Sequence, residues 1–249
     1  MPRLDLASID APTLEHRVVR ARNRLRFELA PKGDRDASRI FVIGHPRTGT
    51  GTLHRIFLAN GLDSVHSPGS WRTAEHECFS DRGNYQPVQR LATTYPDAWF
   101  VLNTRPAWKY VRSMLNHVTK KRRRRGWPAP RYTARNVANE IRRRNRHFVA
   151  CVRLFEQTDV RFVVANIEIP GAFDFICHAL GLEYPGIEHN RGAPSYLDDA
   201  ALEHIDAGFR RLGLEADSMN PFIFNALLDA DERRMVDRFL EHHADRVRL

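Results

Sequence analysis

The chain has 249 residues, of which 39 are Lys or Arg and 30 are Asp or Glu, giving a formal net charge of +9. Hydrophobic residues make up 42% and aromatics 10%, which fits a folded domain and excludes a disordered chain. No apolar run approaches the ~20 residues of a membrane span, and the polar first thirty residues argue against a signal peptide. Cys78, Cys151 and Cys177 are too far apart for a metal motif or a disulfide framework, so a reducing, cytoplasmic compartment is expected.

In chain order, residues 12–30 read as a basic amphipathic helix, with Leu14, Val18, Leu25 and Phe27 as its apolar points. Arg39 to Gly44 is a short β-branched run and predicts a buried strand. A Gly/Thr-rich turn, His45 to Gly51, leads into a predicted helix from Thr52 to Asn60, with Gly61 placed to end it. Ser64 to His66 fits a short strand, and residues 67–83 show no period and read as a loop. Tyr85 to Thr94 predicts a helix, Ala98 to Thr104 a strand, and Trp108 to Val118 a helix opened by Pro106. Residues 119–130 read as a basic loop and Arg131 to Phe155 as one long helix. Val160 to Ala165 predicts a strand, Gly171 to Leu180 a helix, and residues 184–196 a loop. Leu197 to Leu249 reads as two or three further helices.

Strands alternating with helices predict an α/β protein, a three-layer P-loop-like fold with a mainly parallel central sheet and extra C-terminal helices. Three parts are expected: an N-terminal basic helical extension (1–37), an α/β core (38–192) and a C-terminal helical extension packed on it (193–249).

The most informative stretch is Gly44-His45-Pro46-Arg47-Thr48-Gly49-Thr50-Gly51-Thr52, between a strand and a helix. Glycines let the backbone fold tightly and turn its N–H groups inward, and the helix N-terminus adds partial positive charge. Together they make a cradle for a phosphate or similar anion. The loop lacks the Gly-Lys-Ser/Thr ending of nucleotide triphosphatases. Its cation sits earlier, at Arg47, where it can meet charge developing on a leaving group.

Pro46-Arg47-Thr48-Gly49-Thr50 resembles the 5′-phosphosulfate loop of sulfotransferases that use 3′-phosphoadenosine 5′-phosphosulfate (PAPS). This chain departs from the usual second threonine at Gly51 and carries Thr52 one place on. Tyr95-Pro96-Asp97-Ala98 through Arg105, with Ser113 eight residues later, resembles that family's second strand and its 3′-phosphate ligands. A weaker likeness is His189-Asn190-Arg191-Gly192. The resemblance spans residues 38–192. It implies Arg47, Thr48, Gly49, Thr50, Gly51 and Thr52 around the phosphosulfate, with Arg105 and Ser113 on the 3′-phosphate and Arg191 closing over it. It also implies PAPS as cofactor, leaving as adenosine 3′,5′-bisphosphate, and no metal.

Transfer of a sulfonyl group to a hydroxyl or amine needs a base for the acceptor proton. The resemblance makes Asp81 the first candidate, with Arg82 as a sulfonate contact, since branches of that family carry an acidic residue about here, just before the helix leading to the second strand. Glu75, His76 and Glu77 are the second, and His66 is a third. The basic residues 120–146 leave three readings open: a solvated face, a nucleic-acid contact, or a cleft wall that attracts an anionic acceptor such as a glycan or lipid. Nucleic acid is disfavoured, because only Trp127 and Tyr132 interleave with the cations. From Arg105 to Arg153 there are sixteen basic residues and one acid, Glu140. That segment is +15, which leaves the remainder at −6. The alternatives are a P-loop ATP-dependent kinase-like enzyme and a non-catalytic polyanion- or nucleic-acid-binding module on the same fold.

Overall fold

The computed structural model describes residues 39–66, 71, 75–187, 195–215 and 222–249, together with Val18, Ala21, Arg22 and Leu25. Those four are helical and exposed, and the rest of the 1–37 extension lies outside the described residues. Arg191 and its neighbours 189, 190 and 192 also lie outside them.

The sheet has six strands among the described residues: β1 (Ile40–Val42), β2 (Ser64–His66), β3 (Cys78–Ser80), β4 (Trp99–Thr104), β5 (Arg161–Asn166) and β6 (Val247–Arg248). Their order is β2-β3-β1-β4-β5-β6, and every pairing is parallel. The helices are α1 (Thr50–Ala59), α2 (Val88–Thr94), α3 (Ala107–Arg124), α4 (Ala134–Gln157), α5 (Ala172–Leu180), α6 (Asp199–Arg210) and α7 (Ala230–His242).

Side chains alternate across each strand, so one sequence feeds two cores. Phe41, Phe100, Leu102, Phe162 and Val164 face the layer made by α2, α4 and α7. Ile40, Val42, Val101, Val163 and Ala165 face α1 and α5. Both faces are covered, as a parallel sheet requires. A third cluster joins α3, α4 and α6 through Tyr110, Ile141, Ile205 and Phe209. The expected three-layer α/β architecture is therefore present, with a sheet that is wholly parallel.

Three expectations are corrected. The stretch read as a loop, 67–83, contains β3. Its three residues are fully buried and pair with both β1 and β2. The basic loop read at 119–130 is helical as far as Arg124. Lys and Arg are good helix formers, and cations in a last turn face the negative end of the helix dipole. The C-terminal region read as helices alone ends in β6, which pairs with β5 at the sheet edge.

One buried cation ties these layers together. Arg144 of α4 is fully buried. It donates to the Phe222 carbonyl (3.1 Å), the Thr104 hydroxyl (2.9 Å) and the Arg105 carbonyl (3.1 Å). Its guanidinium also lies 4.5 Å from the centre of the Phe148 ring. Burial pulls its pKa down to about 9, so it stays charged at neutral pH. It fixes the end of β4 and the backbone of Arg105.

Candidate active site

In an open parallel sheet, ligands bind beyond the C-terminal ends of the strands, where successive connections leave in opposite directions. Here that place lies above β1 and β4. After β1 the chain runs to β2 and β3 on one side, and after β4 to β5 and β6 on the other. A cleft of about 1590 Å³ opens there.

The loop after β1 is held from below. Asn103 near the end of β4 is fully buried. Its amide donates to the Thr48 hydroxyl at 2.8 Å and to the Thr48 carbonyl. The Thr48 hydroxyl donates to the His45 carbonyl at 2.5 Å. Gly44 is required by close approach, since a Cβ there would lie 2.3 Å from the Asn103 carbonyl oxygen. Gly49 begins α1 with φ +87 and no side-chain cap, and the first turn of α1 holds no acid. The helix therefore presents its positive end without a competing carboxylate.

Behind the loop, His45 Nδ1 and the Tyr110 hydroxyl lie 3.1 Å apart, and that hydroxyl donates to Glu140, which pairs with Arg143. The only acid of the +15 segment is thus committed to a partly buried network behind the loop. Burial first, and then Glu140, raise the Tyr110 pKa far above its ordinary value, so it remains a donor.

Arg47 has φ 72, a left-handed backbone that non-glycine residues seldom adopt and that recurs at functional sites. Its Nε donates to the Ser113 hydroxyl at 3.2 Å, and its carbonyl accepts from Arg105 Nη1 at 3.1 Å. Burial, then the charge of Arg105, lowers the Arg47 pKa, while Asp81 opposes the shift. Arg105 also pairs with Glu168, which accepts from Lys109 Nζ at 2.8 Å. Burial would raise the Glu168 pKa, but the Lys109 hydrogen bond and Arg105 outweigh it and the net shift is downward. The Nε of Arg105 is buried without a hydrogen-bond partner, an unsatisfied donor beside the cleft.

The predicted residues fall into two groups. Arg47, Gly49, Thr50, Gly51, Thr52, Asp81, Arg82, Arg105, Ser113 and His66 all line the cleft, and Thr48 lies buried beneath it. Asp81 and Arg82 are consecutive left-handed residues, φ 71 and 58, and their charged groups lie 3.9 Å apart. Gly83 follows, where a Cβ would lie 2.3 Å from Ile43 Cα. That close packing against β1 drives the strained turn and carries Asp81 toward the cleft. Glu75, His76 and Glu77 are not among the lining residues. His76 pairs with Asp63, and Glu77 accepts from the Asp63 backbone at 2.8 Å.

Sequence reasoning passed over Asn103, Lys109, His117, Glu168 and His54. His54 and His66 stack with ring centres 5.5 Å apart. Their Nδ1 atoms lie 2.9 Å from the Ser64 and Ser80 hydroxyls respectively. An Asn near the end of an otherwise apolar strand was a readable signal. The other four belong to no motif or spacing that marks them in the sequence.

Along α3 the cleft wall is one stripe: Lys109, Arg112, Ser113, Asn116, His117 and Lys121. The spacing of three and four is that of one helix face. Beyond it, Arg122 and Arg125 lie over the Trp127 ring at 5.8 and 5.1 Å, and Lys120 and Arg123 over Tyr196 at 5.7 and 5.9 Å. Among the described residues no group of three or more His, Cys, Asp or Glu is placed to hold a metal, and no helix is long and apolar enough to cross a membrane.

Chemically, the arrangement offers an anion cradle, a row of cations and two lining carboxylates, of which Glu168 is paired with Arg105 and Lys109 and Asp81 lies on the turn after β3. Residues 70–166 match the family model of the sulfotransferase domain. The match contains Asp81, Arg82, Arg105 and Ser113, and it begins after the phosphate loop. No curated protein matches the chain.

Proposed function

We propose, for a chain whose residues 70–166 carry a sulfotransferase domain, that it moves a sulfonyl group from PAPS to a hydroxyl or amine. The observation that carries this reading is the meeting of Arg47, Arg105 and Ser113 at one cleft, although Arg47 lies 58 residues from Arg105 and 66 from Ser113 in the chain. The residues fit such a donor. The orphaned Arg105 Nε and the uncapped N-terminus of α1 both favour an anion. Against Gly49 of the loop, Ile167 and Phe173 lie within contact distance of where a Cβ would be, and Phe173 stacks on Tyr184 at 6.4 Å, an apolar platform suited to a purine.

PAPS supplies the activated sulfonyl group, which leaves adenosine 3′,5′-bisphosphate behind. The chain's residues bind, orient and move the proton. Arg47, Thr48 to Thr52 and the end of α1 hold the phosphosulfate, and Arg47 steadies the charge that grows on the departing phosphate. Arg105 and Ser113 hold the 3′-phosphate. Asp81 accepts the acceptor's proton, and Arg82 orients Asp81 and contacts the sulfonate. Arg191 is the closing residue of this reading and lies outside the described residues. The cations of α3 suit an acceptor that is itself anionic, a glycan or lipid. A cytoplasmic location and the absence of a metal requirement belong to the same reading.

Thermal shift with adenosine 3′,5′-bisphosphate, ATP·Mg²⁺ and heparin tests it. Stabilisation by the bisphosphate without metal is the expected result. Stabilisation by ATP·Mg²⁺ alone favours a kinase-like enzyme, and by heparin alone a polyanion-binding module.

A further inference from the structure

His117 lies on α3 one helical turn beyond Ser113, and both line the cleft. The groups that act on its ring come from three elements. The charge of Arg47 acts on it from the phosphate loop, those of Lys120 and Lys121 from its own helix, and that of Asp81 from the turn after β3. Three of these four are cations. Among the described residues no carboxylate hydrogen-bonds to the imidazole, unlike His76, which pairs with Asp63. Burial, then Arg47 and Lys121, hold the His117 pKa below its ordinary value.

We infer that His117 is a further contact for the anionic group that Arg47 holds, and that anion binding brings a proton from solvent onto its ring. The inference rests on the anion-site reading above and adds one ligand to it. An anion seated between Arg47 and Lys121 cancels the repulsion that disfavours a charged imidazole. It also supplies an acceptor for the new N–H. Imidazole is the side chain whose charge can change this way near neutral pH. The proton returns to solvent when the anion leaves. Binding therefore tightens as pH falls from 8 toward 6, on the order of several-fold.

Two measurements test it. Calorimetric titration with adenosine 3′,5′-bisphosphate, in two buffers of different ionisation enthalpy, counts protons taken up per ligand. The expected result is net uptake in the wild type, with less uptake and several-fold weaker binding in His117→Gln. Equal uptake in both proteins overturns the inference. The second measurement follows the His117 ring by NMR in the wild-type protein, with and without inorganic pyrophosphate. Its titration midpoint is expected to rise, and an unchanged midpoint overturns the inference whether or not the variant folds. If pyrophosphate raises the midpoint but the bisphosphate does not bind, the cofactor reading fails and the role of His117 stands.

Discussion

The Nε of Arg47 donates to the hydroxyl of Ser113 at 3.2 Å, which joins the loop after β1 to the helix after β4. The two anion motifs read separately along the chain are thus parts of one hydrogen-bonded surface. Removing the hydroxyl takes a partner from a charged donor, an interaction worth ~1.5–3 kcal/mol. Ser113→Ala is therefore expected to weaken bisphosphate binding roughly 10- to 100-fold, while Ser113→Thr keeps the hydroxyl and most of the affinity. Titration calorimetry on the two variants checks this, and equal affinities for Ser113→Ala and the wild type would contradict it.

Glu168 holds Arg105 and Lys109 together on the cleft wall. Its net pKa shift is downward from 4.5. A carboxylate with a depressed folded pKa contributes stability that is present above the unfolded value and lost as pH falls through the folded one. Glu168→Gln should therefore reduce melting temperature at pH 7 and leave it nearly unchanged near pH 3. The same change removes a negative charge beside the predicted phosphate, so bisphosphate affinity at low salt is expected to rise. A fall in affinity at low salt would mean that the carboxylate's role in orienting Arg105 dominates.

Gly44 has no room for a side chain against Asn103. Gly44→Ala forces the loop off β4, and overpacking of this kind costs about 1–3 kcal/mol. For a chain of this size, that corresponds to a fall in melting temperature of roughly 2–12 °C. Loss of bisphosphate binding should accompany it. Gly61→Ala is the comparison, because nothing lies within 4 Å of a Cβ there. Its cost comes only from the positive φ of 76, and binding should survive.

The His54 pKa is lowered by burial, then by His66 and Arg55. An imidazole with a depressed folded pKa is protonated more readily in the unfolded chain, so stability declines as pH drops below the unfolded value of 6.5. His54→Asn should flatten the melting-temperature profile between about pH 5 and 7. An unchanged slope would show that the His54–His66 stack does not bear on stability.

Much of this was legible along the chain. β1, β4 and β5 announce themselves as apolar runs that alternate between two buried faces. Arg47 and Arg105 follow strand ends and Ser113 lies about two turns into α3, so their places follow from the order of the elements. β3 was illegible because Cys78-Phe79-Ser80 is too short to show a period, and β2 and β1 supply its hydrogen bonds. The length of α3 was hidden because its last turns carry charge in place of an apolar stripe. Asn103, Glu168 and His117 acquire their meaning from groups 50 or more residues away, such as Thr48, Arg105 and Arg47. No local pattern encodes such meetings.

The four cations laid over Trp127 and Tyr196 have a kinetic consequence. Held against rings, they keep their charge close to the rim that Lys121 shares with the cleft. Fixed charge of one sign at the mouth of a cleft draws an oppositely charged molecule inward before any contact forms. Encounter with the bisphosphate should therefore slow steeply as ionic strength rises, while its departure rate barely changes. Stopped-flow measurement of both rates across a salt series separates them. Replacing Arg122 and Arg125 with Gln should reduce the salt slope of the first rate and leave the second untouched.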